Sequence, residues 1–127
     1  MGERLYSKEH EYIDMEGDAG KVGLSHYAQE KLGDLVYFEF PEVGETFGAG
    51  EAFATVESVK ATSDLYMPVG GEITELNLDL EDAPELANED PYGKGWAAKI
   101  KPDNLDDLKE LMSEEEYTEY IADDPEG

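Results

Sequence analysis

The sequence predicts a mainly β domain, a compact sandwich or barrel that carries a few short helices. Three observations lead to this prediction. Short segments rich in β-branched and aromatic residues recur through the first hundred residues, glycine and proline turns separate them, and the last part changes to helical spacing. A chain of 127 residues with 39% hydrophobic content is long enough to bury one core. We therefore expect a single domain over residues 1–127, with a core at about 5–102 and a C-terminal helical extension at about 103–122.

The N-terminal third predicts a hairpin followed by a short helix. Glu11–Ile13 and Lys21–Leu24 contain β-prone residues, and the glycines of the MEGDAG segment between them favour a turn. In SHYAQEKLG, apolar residues fall on one side of a two-turn helix. Ser25 is a suitable N-cap for this helix, and Gly33 is suited to end it.

The middle of the chain predicts four further strands and a closing strand. DLVYFEF, FATVES, SDLYMP and VGGEI are β-prone runs bounded by glycine or proline. The acidic segment that follows has no clear period, and we expect a loop as far as PYGKGW. WAAKIKP then has the pattern of the closing strand.

The C-terminal segment predicts helix. The apolar residues of NLDDLKELM fall on one side of a helix: Leu105, Leu108 and Met112. In SEEEYTEYI, Ser113 and Glu116 have the spacing of a capping box. The expected inner face of this second helix consists of Tyr117, Tyr120 and Ile121. We expect the terminal ADDPEG to be a frayed end.

The composition excludes several classes of function. With 33 acidic against 9 basic residues the net charge is −24, so the chain has no basic patch for nucleic acid or an anionic membrane. The absence of cysteine excludes disulfides, thiolate catalysis and cysteine-ligated metals. No long apolar run, secretory signal or transit peptide is evident, and such an acidic surface is typical of halophiles. We expect a cytoplasmic protein of a prokaryote that accumulates salt.

One lysine stands apart from the rest of the sequence. Lys60 is the only basic residue between Leu32 and Gly93, and Glu57 and Asp64 bracket it. It falls where FATVES and SDLYMP must reverse direction, in a segment without glycine or asparagine, which favours a type I turn. An exposed lysine at a turn lacks the burial that Schiff-base chemistry needs, but it suits covalent attachment of a carried group.

ESVKATSDLYMPVGGEI resembles the lipoyl-attachment segment of the glycine cleavage system H protein family. The similarity continues through YSKEHEY, VGLSHYAQEKLGDLVYFEFPEVGE, NEDPYGKGWAAKIKP and EEYTEYI, and it covers nearly the whole chain. The resemblance implies the lipoyl/biotinyl barrel-sandwich hybrid fold, as a single lipoyl-carrier domain. This expectation agrees with the strand and turn pattern.

The resemblance implies a carrier and not an enzyme. Lipoate would be joined to Lys60 by an amide and would accept an aminomethyl group from glycine decarboxylase. The tetrahydrofolate-dependent aminomethyltransferase would take the carbon and release ammonia, and dihydrolipoyl dehydrogenase would reoxidise the dithiol. The residues agree with this role, because no acid–base pair, nucleophile or phosphate-binding loop is evident.

The resemblance also assigns roles around the lysine. Glu57 matches the acid of the attachment motif and would help a lipoate-attaching enzyme to recognise the hairpin. The alternative is that Glu57 is a solvated strand residue without a specific role. Glu11, Leu24 and Asp64 match a cleft that shelters the loaded arm, where carboxylates suit a cationic amine and an apolar wall excludes water.

Several alternatives remain open from the sequence. Biotin carriage shares the fold, but biotinylated lysines typically lie between methionines, whereas Val59 and Ala61 flank Lys60. A related lipoyl carrier could serve another pathway, such as sulfur oxidation or lipoyl relay, or the chain could be an interaction module without a carried group. His10 and His26 are expected to be surface or packing residues, so no metal site is expected.

Overall fold

Two antiparallel β-sheets make up most of the structure, a computed structural model that describes residues 4–122. The strands are β1 (Arg4–Tyr6), β2 (Glu11–Glu16), β3 (Ala19–Leu24), β4 (Leu35–Glu39), β5 (Thr46–Phe47), β6 (Ala52–Ser58), β7 (Thr62–Tyr66), β8 (Gly71–Leu76) and β9 (Ala98–Pro102). The helices are α1 (His26–Leu32), α2 (Asp79–Asp82), α3 (Leu86–Glu89) and α4 (Glu114–Ala122), with a 3₁₀ helix at Leu105–Glu110. The larger sheet has the order β1-β2-β3-β9-β8-β5 and the smaller one β4-β6-β7.

One hydrophobic core joins the two sheets. Fully buried branched side chains come from both of them: Ile13, Val22, Ile73 and Ile100 from the larger sheet, and Val56 and Leu65 from the smaller. Complete burial of a side chain of this kind stabilises the fold by roughly 1.5–3 kcal/mol. The predicted mainly β, barrel-sandwich class with short helices is thus confirmed.

The predicted elements of the first half are present. The strands of the first hairpin extend further toward the turn than the expected limits, because pairing continues as far as Glu16 opposite Ala19. In α1, the Ala28 amide donates to the Ser25 side chain at 3.1 Å. The Gly33 amide donates to the Gln29 carbonyl at 3.0 Å, and Gly33 has a φ of 81° that favours glycine. The cap and the end of this helix are as predicted.

The acidic segment after β8 differs from the predicted loop, because it contains α2 and α3. Each helix has only four residues, so neither gives a helical period that a sequence window could detect. Each nevertheless buries one apolar residue, Leu80 and Ala87, in the core. Tertiary packing therefore orders a segment that local sequence leaves undetermined.

The NLDDLKELM segment forms a 3₁₀ helix, where the spacing predicted an α-helix. A 3₁₀ helix places residues three apart on the same side, so Leu105 and Leu108 stay aligned, but the helix ends at Glu110 and Met112 does not belong to it. Leu105 is 50% exposed, whereas Leu108 packs partly against the core. The Asn104 side chain accepts a hydrogen bond from the Asp106 amide at 3.0 Å and fixes the start of this helix.

Helix α4 packs on the N-terminal strand. Its capping box is confirmed: the Ser113 amide donates to the Glu116 carboxylate at 2.9 Å, and the Glu116 amide donates to the Ser113 hydroxyl at 3.2 Å. Tyr117 is buried and stacks on Tyr6 with a ring separation of 4.3 Å. The expected inner-face residue Tyr120 is instead 40% exposed. Most of the expected frayed end, residues 123–127, lies outside the described residues.

None of the helices within residues 4–122 has the length and apolar character that a membrane-spanning helix requires.

Candidate attachment site and adjoining cleft

Lys60 occupies the tip of the hairpin that β6 and β7 form. Glu57 and Thr62 are the last paired strand residues, and the Ser58 amide donates to the Ala61 carbonyl at 2.8 Å. Val59 and Lys60 are thus the two central residues of a tight turn. Neither has a positive φ, in agreement with the predicted turn type.

The Ser58 side chain closes this turn. Its hydroxyl accepts hydrogen bonds from the Lys60 and Ala61 amides, each at 3.1 Å, and donates to the Ala61 carbonyl at 3.1 Å. The Ser58 hydroxyl thus provides hydrogen-bond partners for the backbone of a turn that contains neither glycine nor asparagine. Ser58 is a site residue that sequence reasoning missed, although serine at the first position of a type I turn is a recognised preference.

The end of α1 supports the hairpin tip from one side. The Val59 amide donates to the Asp34 carbonyl at 3.0 Å. The aliphatic part of the Lys60 side chain passes close to Gly33, which has no side chain. A Cβ atom added at Gly33 would lie 3.4 Å from Cε of Lys60. Lys60 itself is exposed, and within residues 4–122 it has no ion pair.

A cavity of about 280 Å³ lies between α1, β2, β3 and the start of β7. All three residues of the expected cleft line it: Glu11, Leu24 and Asp64. Lys31 and Tyr27 of α1 also line it. The strand register explains part of this arrangement, since Glu11 and Leu24 are directly paired across β2 and β3.

Glu11 lies on the buried side of this cleft, with 1% of its surface exposed. The Ser7 hydroxyl donates to its carboxyl group at 3.0 Å, and the Tyr66 amide of β7 donates at 3.2 Å. Burial raises the pKa of the Glu11 carboxyl to about 8, although these hydrogen bonds oppose the shift. At neutral pH Glu11 is therefore mostly protonated, and the exposed acidic residues that line the cleft are Glu9 and Asp64.

Glu57 is not part of the cleft. It is half-buried in β6, where it pairs with Tyr37 of β4 on one side and Thr62 of β7 on the other. The structure thus brings Glu11, Leu24 and Asp64 together and keeps Glu57 on the small sheet beside the hairpin tip.

His10 connects the cleft to the C-terminal helix. It lines the cavity, has a φ of 75°, and its Nδ1 is 2.8 Å from the Tyr117 hydroxyl. The same hydroxyl is 2.8 Å from Oγ of Ser25, the cap of α1. The histidine is a packing residue, and no group of three His, Asp or Glu side chains in the described part of the chain could hold a metal ion.

The fold and this site define a class of protein: a β-sandwich carrier domain that presents one lysine at a hairpin tip beside a cleft. The family model for the glycine cleavage H-protein matches residues 4–124. The chain belongs to the glycine cleavage H-protein family, and its role is that of a lipoyl carrier in the glycine cleavage system.

Comparison with individual proteins supports the same family. The chain is 54% identical over 119 residues to the glycine cleavage system H protein of Thermus thermophilus, covering 94% of this chain and 93% of that protein. It is 50% identical over 117 residues to that of Halothermothrix orenii, covering 92% and 91%. The crystal structure of an H protein from Mycobacterium marinum superposes with a TM-score of 0.86 at 41% identity, covering 96% of this chain and 98% of that one.

Proposed function

We propose that Lys60 is the residue that carries lipoate, through an amide with its ε-amine. The observation that supports this most directly is the position of Lys60, exposed at the tip of a turn that Ser58 closes. The residues fit a covalent group, because Gly33 leaves the lysine stem unobstructed and no partner within residues 4–122 neutralises the ammonium. When attached, lipoate supplies a dithiolane that is reduced as it accepts an aminomethyl group and is later reoxidised.

The chain acts as a carrier among enzymes that perform the chemistry. Its proposed partners are glycine decarboxylase, the tetrahydrofolate-dependent aminomethyltransferase, dihydrolipoyl dehydrogenase and a lipoate-attaching enzyme. The hairpin holds the attachment point away from the body of the protein, so a group on the four-carbon stem of Lys60 reaches the active sites of other proteins.

The cleft beside the hairpin receives a cationic amine. Asp64 supplies a carboxylate at its mouth, and Leu24 forms an apolar wall that is 5% exposed. Glu11 accepts or donates hydrogen bonds in this cleft mainly as a neutral acid at pH 7, since burial raises its pKa to about 8. We expect attraction to come from Asp64, together with the neighbouring Glu9 that also lines the cavity, and exclusion of water from Leu24.

The attachment proposal is tested by the intact mass of the protein from its native host, followed by peptide mapping. We expect one lipoyl adduct, on Lys60. A lipoyl group on another residue would contradict the proposed site, and a biotin adduct would contradict the cofactor.

The cleft proposal is tested with the lipoylated double variant Glu11→Gln, Asp64→Asn after loading by glycine decarboxylase. We expect loading to change little and the loaded form to release ammonia faster than the wild type. Equal rates of release from the two proteins would contradict a sheltering role.

We also propose that residues 5–102 form the carrier core and residues 103–122 an extension. The bridge between Tyr6 and Met112 and the stacking of Tyr117 on Tyr6 support this division, because they attach the later segment to an edge strand.

We further propose that the protein works in a cytoplasm that accumulates salt. Nine basic residues neutralise few of the 33 acids even when paired, as Arg4 is with Asp14 at 2.8 Å. The Debye length falls from about 30 Å at 0.01 M to about 3 Å at 1 M salt, so salt relieves the repulsion. A thermal melt at neutral pH should show a midpoint that rises steeply with potassium chloride. A flat dependence would contradict this proposal.

A further inference from the structure

Three exposed apolar side chains surround the hairpin tip. Val36 is 52%, Tyr37 49% and Val59 66% exposed. In a regular strand, the neighbouring residues Val36 and Tyr37 would point to opposite faces, and one of them would be buried. An irregularity in the strand pairing between Leu35 and Tyr37 leaves both side chains exposed. We refer to Val36, Tyr37 and Val59 as the tip patch.

The strand register places the tip patch directly beside Lys60. Tyr37 pairs with Glu57, and Leu35 pairs with Ser58, the residue that closes the turn. The Val59 amide donates to the Asp34 carbonyl at 3.0 Å, which fixes the tip against the start of β4. The attachment lysine and an apolar surface therefore belong to one continuous region.

The tip patch is separate from the cleft. The small sheet has the order β4-β6-β7, so the patch lies along the β4 edge, whereas Ser63 and Asp64 contribute to the cleft from β7 at the opposite edge. The two regions can therefore serve different partners.

The surroundings of the patch indicate the chemistry of its partner. Asp34 and Glu39 are exposed at the two ends of β4, and Glu57 is half-buried beside Tyr37. Lys60 is the only basic residue from Asp34 to Tyr92 in the sequence. A partner that fits this surface has an apolar contact area with basic residues at its rim.

We propose that the tip patch is the docking surface for the enzyme that attaches lipoate to Lys60. The inference rests on the proposed attachment site. This enzyme must bring the ε-amine itself to an activated lipoyl ester. The ammonium first loses one proton, and the free amine forms a C–N bond to the acyl carbon. The bond from that carbon to the activating group breaks, that group leaves with the electron pair, and the nitrogen releases a second proton to solvent as the amide forms. Enzymes that act on the distal end of the arm work at a distance from the residues at its root, so the attaching enzyme is the partner that must reach this region.

The test measures the rate of lipoylation of the unmodified full chain by an adenylate-forming lipoate ligase, with lipoic acid and ATP, followed by intact mass. Tyr37→Ser and the double variant Val36→Thr, Val59→Thr are compared with the wild type at carrier concentrations below KM. We expect kcat/KM for the carrier to fall by about tenfold or more, as for central apolar contacts of interfaces. Tyr37→Phe should restore most of the rate.

Matched controls come from exposed apolar residues elsewhere. Val43 is 58% and Leu78 55% exposed, and both lie outside the small sheet, so Val43→Thr and Leu78→Ser should be lipoylated at the wild-type rate. The melting temperatures of all variants should stay close to that of the wild type, which excludes unfolding as the cause of a slower reaction.

The outcomes separate this inference from the proposal on which it rests. If the wild type is modified at a residue other than Lys60, the proposed attachment site fails. If Lys60 is modified but the patch variants react at the wild-type rate, only the docking surface is contradicted. The docking proposal is also contradicted if the patch variants are lipoylated normally but, once lipoylated, show a raised KM with glycine decarboxylase. The patch would then be a docking surface for glycine decarboxylase and not for the attaching enzyme.

Discussion

The β2–β3 and β6–β7 hairpins are similar in length, but different residues form their turns. The β2–β3 hairpin turns at Gly17, which has a φ of 65°, a conformation that glycine adopts without strain. The β6–β7 hairpin turns at Val59 and Lys60 without a positive φ, and the Ser58 hydroxyl bonds to the backbone of the turn. The first turn only joins two strands, whereas the second must also present a side chain.

The difference shows how a functional residue can occupy a turn. The glycine turn leaves one of its two central positions, Gly17, without a side chain, while the turn closed by serine keeps ordinary backbone angles at both central positions and admits a lysine at one of them. Glu11 joins the two hairpins, because it lies in β2 and its carboxyl group accepts a hydrogen bond from the Tyr66 amide of β7 at 3.2 Å.

The largest effect on lipoylation is expected at the tip of the β6–β7 hairpin. Lys60→Arg should abolish the lipoyl mass shift completely, since a guanidinium stays protonated and cannot act as the nucleophile. The melting temperature should stay unchanged, because the site is exposed. The matched change on the first hairpin, Lys21→Arg, should leave lipoylation intact. A lipoyl adduct that persists on Lys60→Arg would refute the assignment.

The burial of Glu11, the residue that joins the two hairpins, should make stability depend on pH. The pKa of Glu11 is about 8 in the folded protein and about 4.3 in an unfolded chain, so the folded state binds the proton more tightly. The free energy of unfolding should therefore be largest, for this group, below pH 4 and should fall as pH rises toward 8. Relative to Glu11→Gln, the wild type should lose on the order of a few kcal/mol between pH 5 and 8.

Urea denaturation of both proteins at a series of pH values measures this difference. The comparison cancels the titration of the other carboxyl groups. A constant difference between wild type and variant across the range would show that Glu11 is not held protonated by burial.

Removal of the serine hydroxyl should loosen the second turn. Ser58→Ala deletes the three hydrogen bonds of this side chain in an exposed turn, and we expect a loss of about 1 kcal/mol of stability. Amide hydrogen exchange should accelerate at Lys60 and Ala61, and lipoylation should slow slightly. Unchanged exchange at these two amides would mean that strand pairing alone holds the turn.

The smallest effect on lipoylation is expected at the first turn. A Cβ atom at Gly17 would meet no atom within 4 Å, so Gly17→Ala should cost only the backbone strain of a positive φ, about 1 kcal/mol. Thermal denaturation measures the loss, and lipoylation should be unaffected. A slower lipoylation would show that the two hairpins are coupled more strongly than their contact through Glu11 suggests.

Sequence reasoning located the strands of five or more residues, α1 and the capping box of α4 because each has a local signal, but it did not locate the short strands β1 and β5. Strand periodicity, the Ser25 cap and the spacing of Ser113 and Glu116 involve residues a few positions apart. Elements without such a signal were missed or mistaken, as the four-residue helices α2 and α3 and the 3₁₀ helix show. Their conformation depends on contacts with distant residues.

The sequence by itself determined the class of the protein and the exceptional position of Lys60, because composition, turn spacing and a collinear resemblance are properties of the chain. Only the tertiary structure decided how the cleft is charged. Glu11 is an acid in the sequence, but the fold removes it from water, and this burial favours the neutral form at pH 7 although the hydrogen bonds from Ser7 and Tyr66 favour the charged form. The cost of burying a charge depends on the surrounding atoms, and residues far apart in the chain supply them.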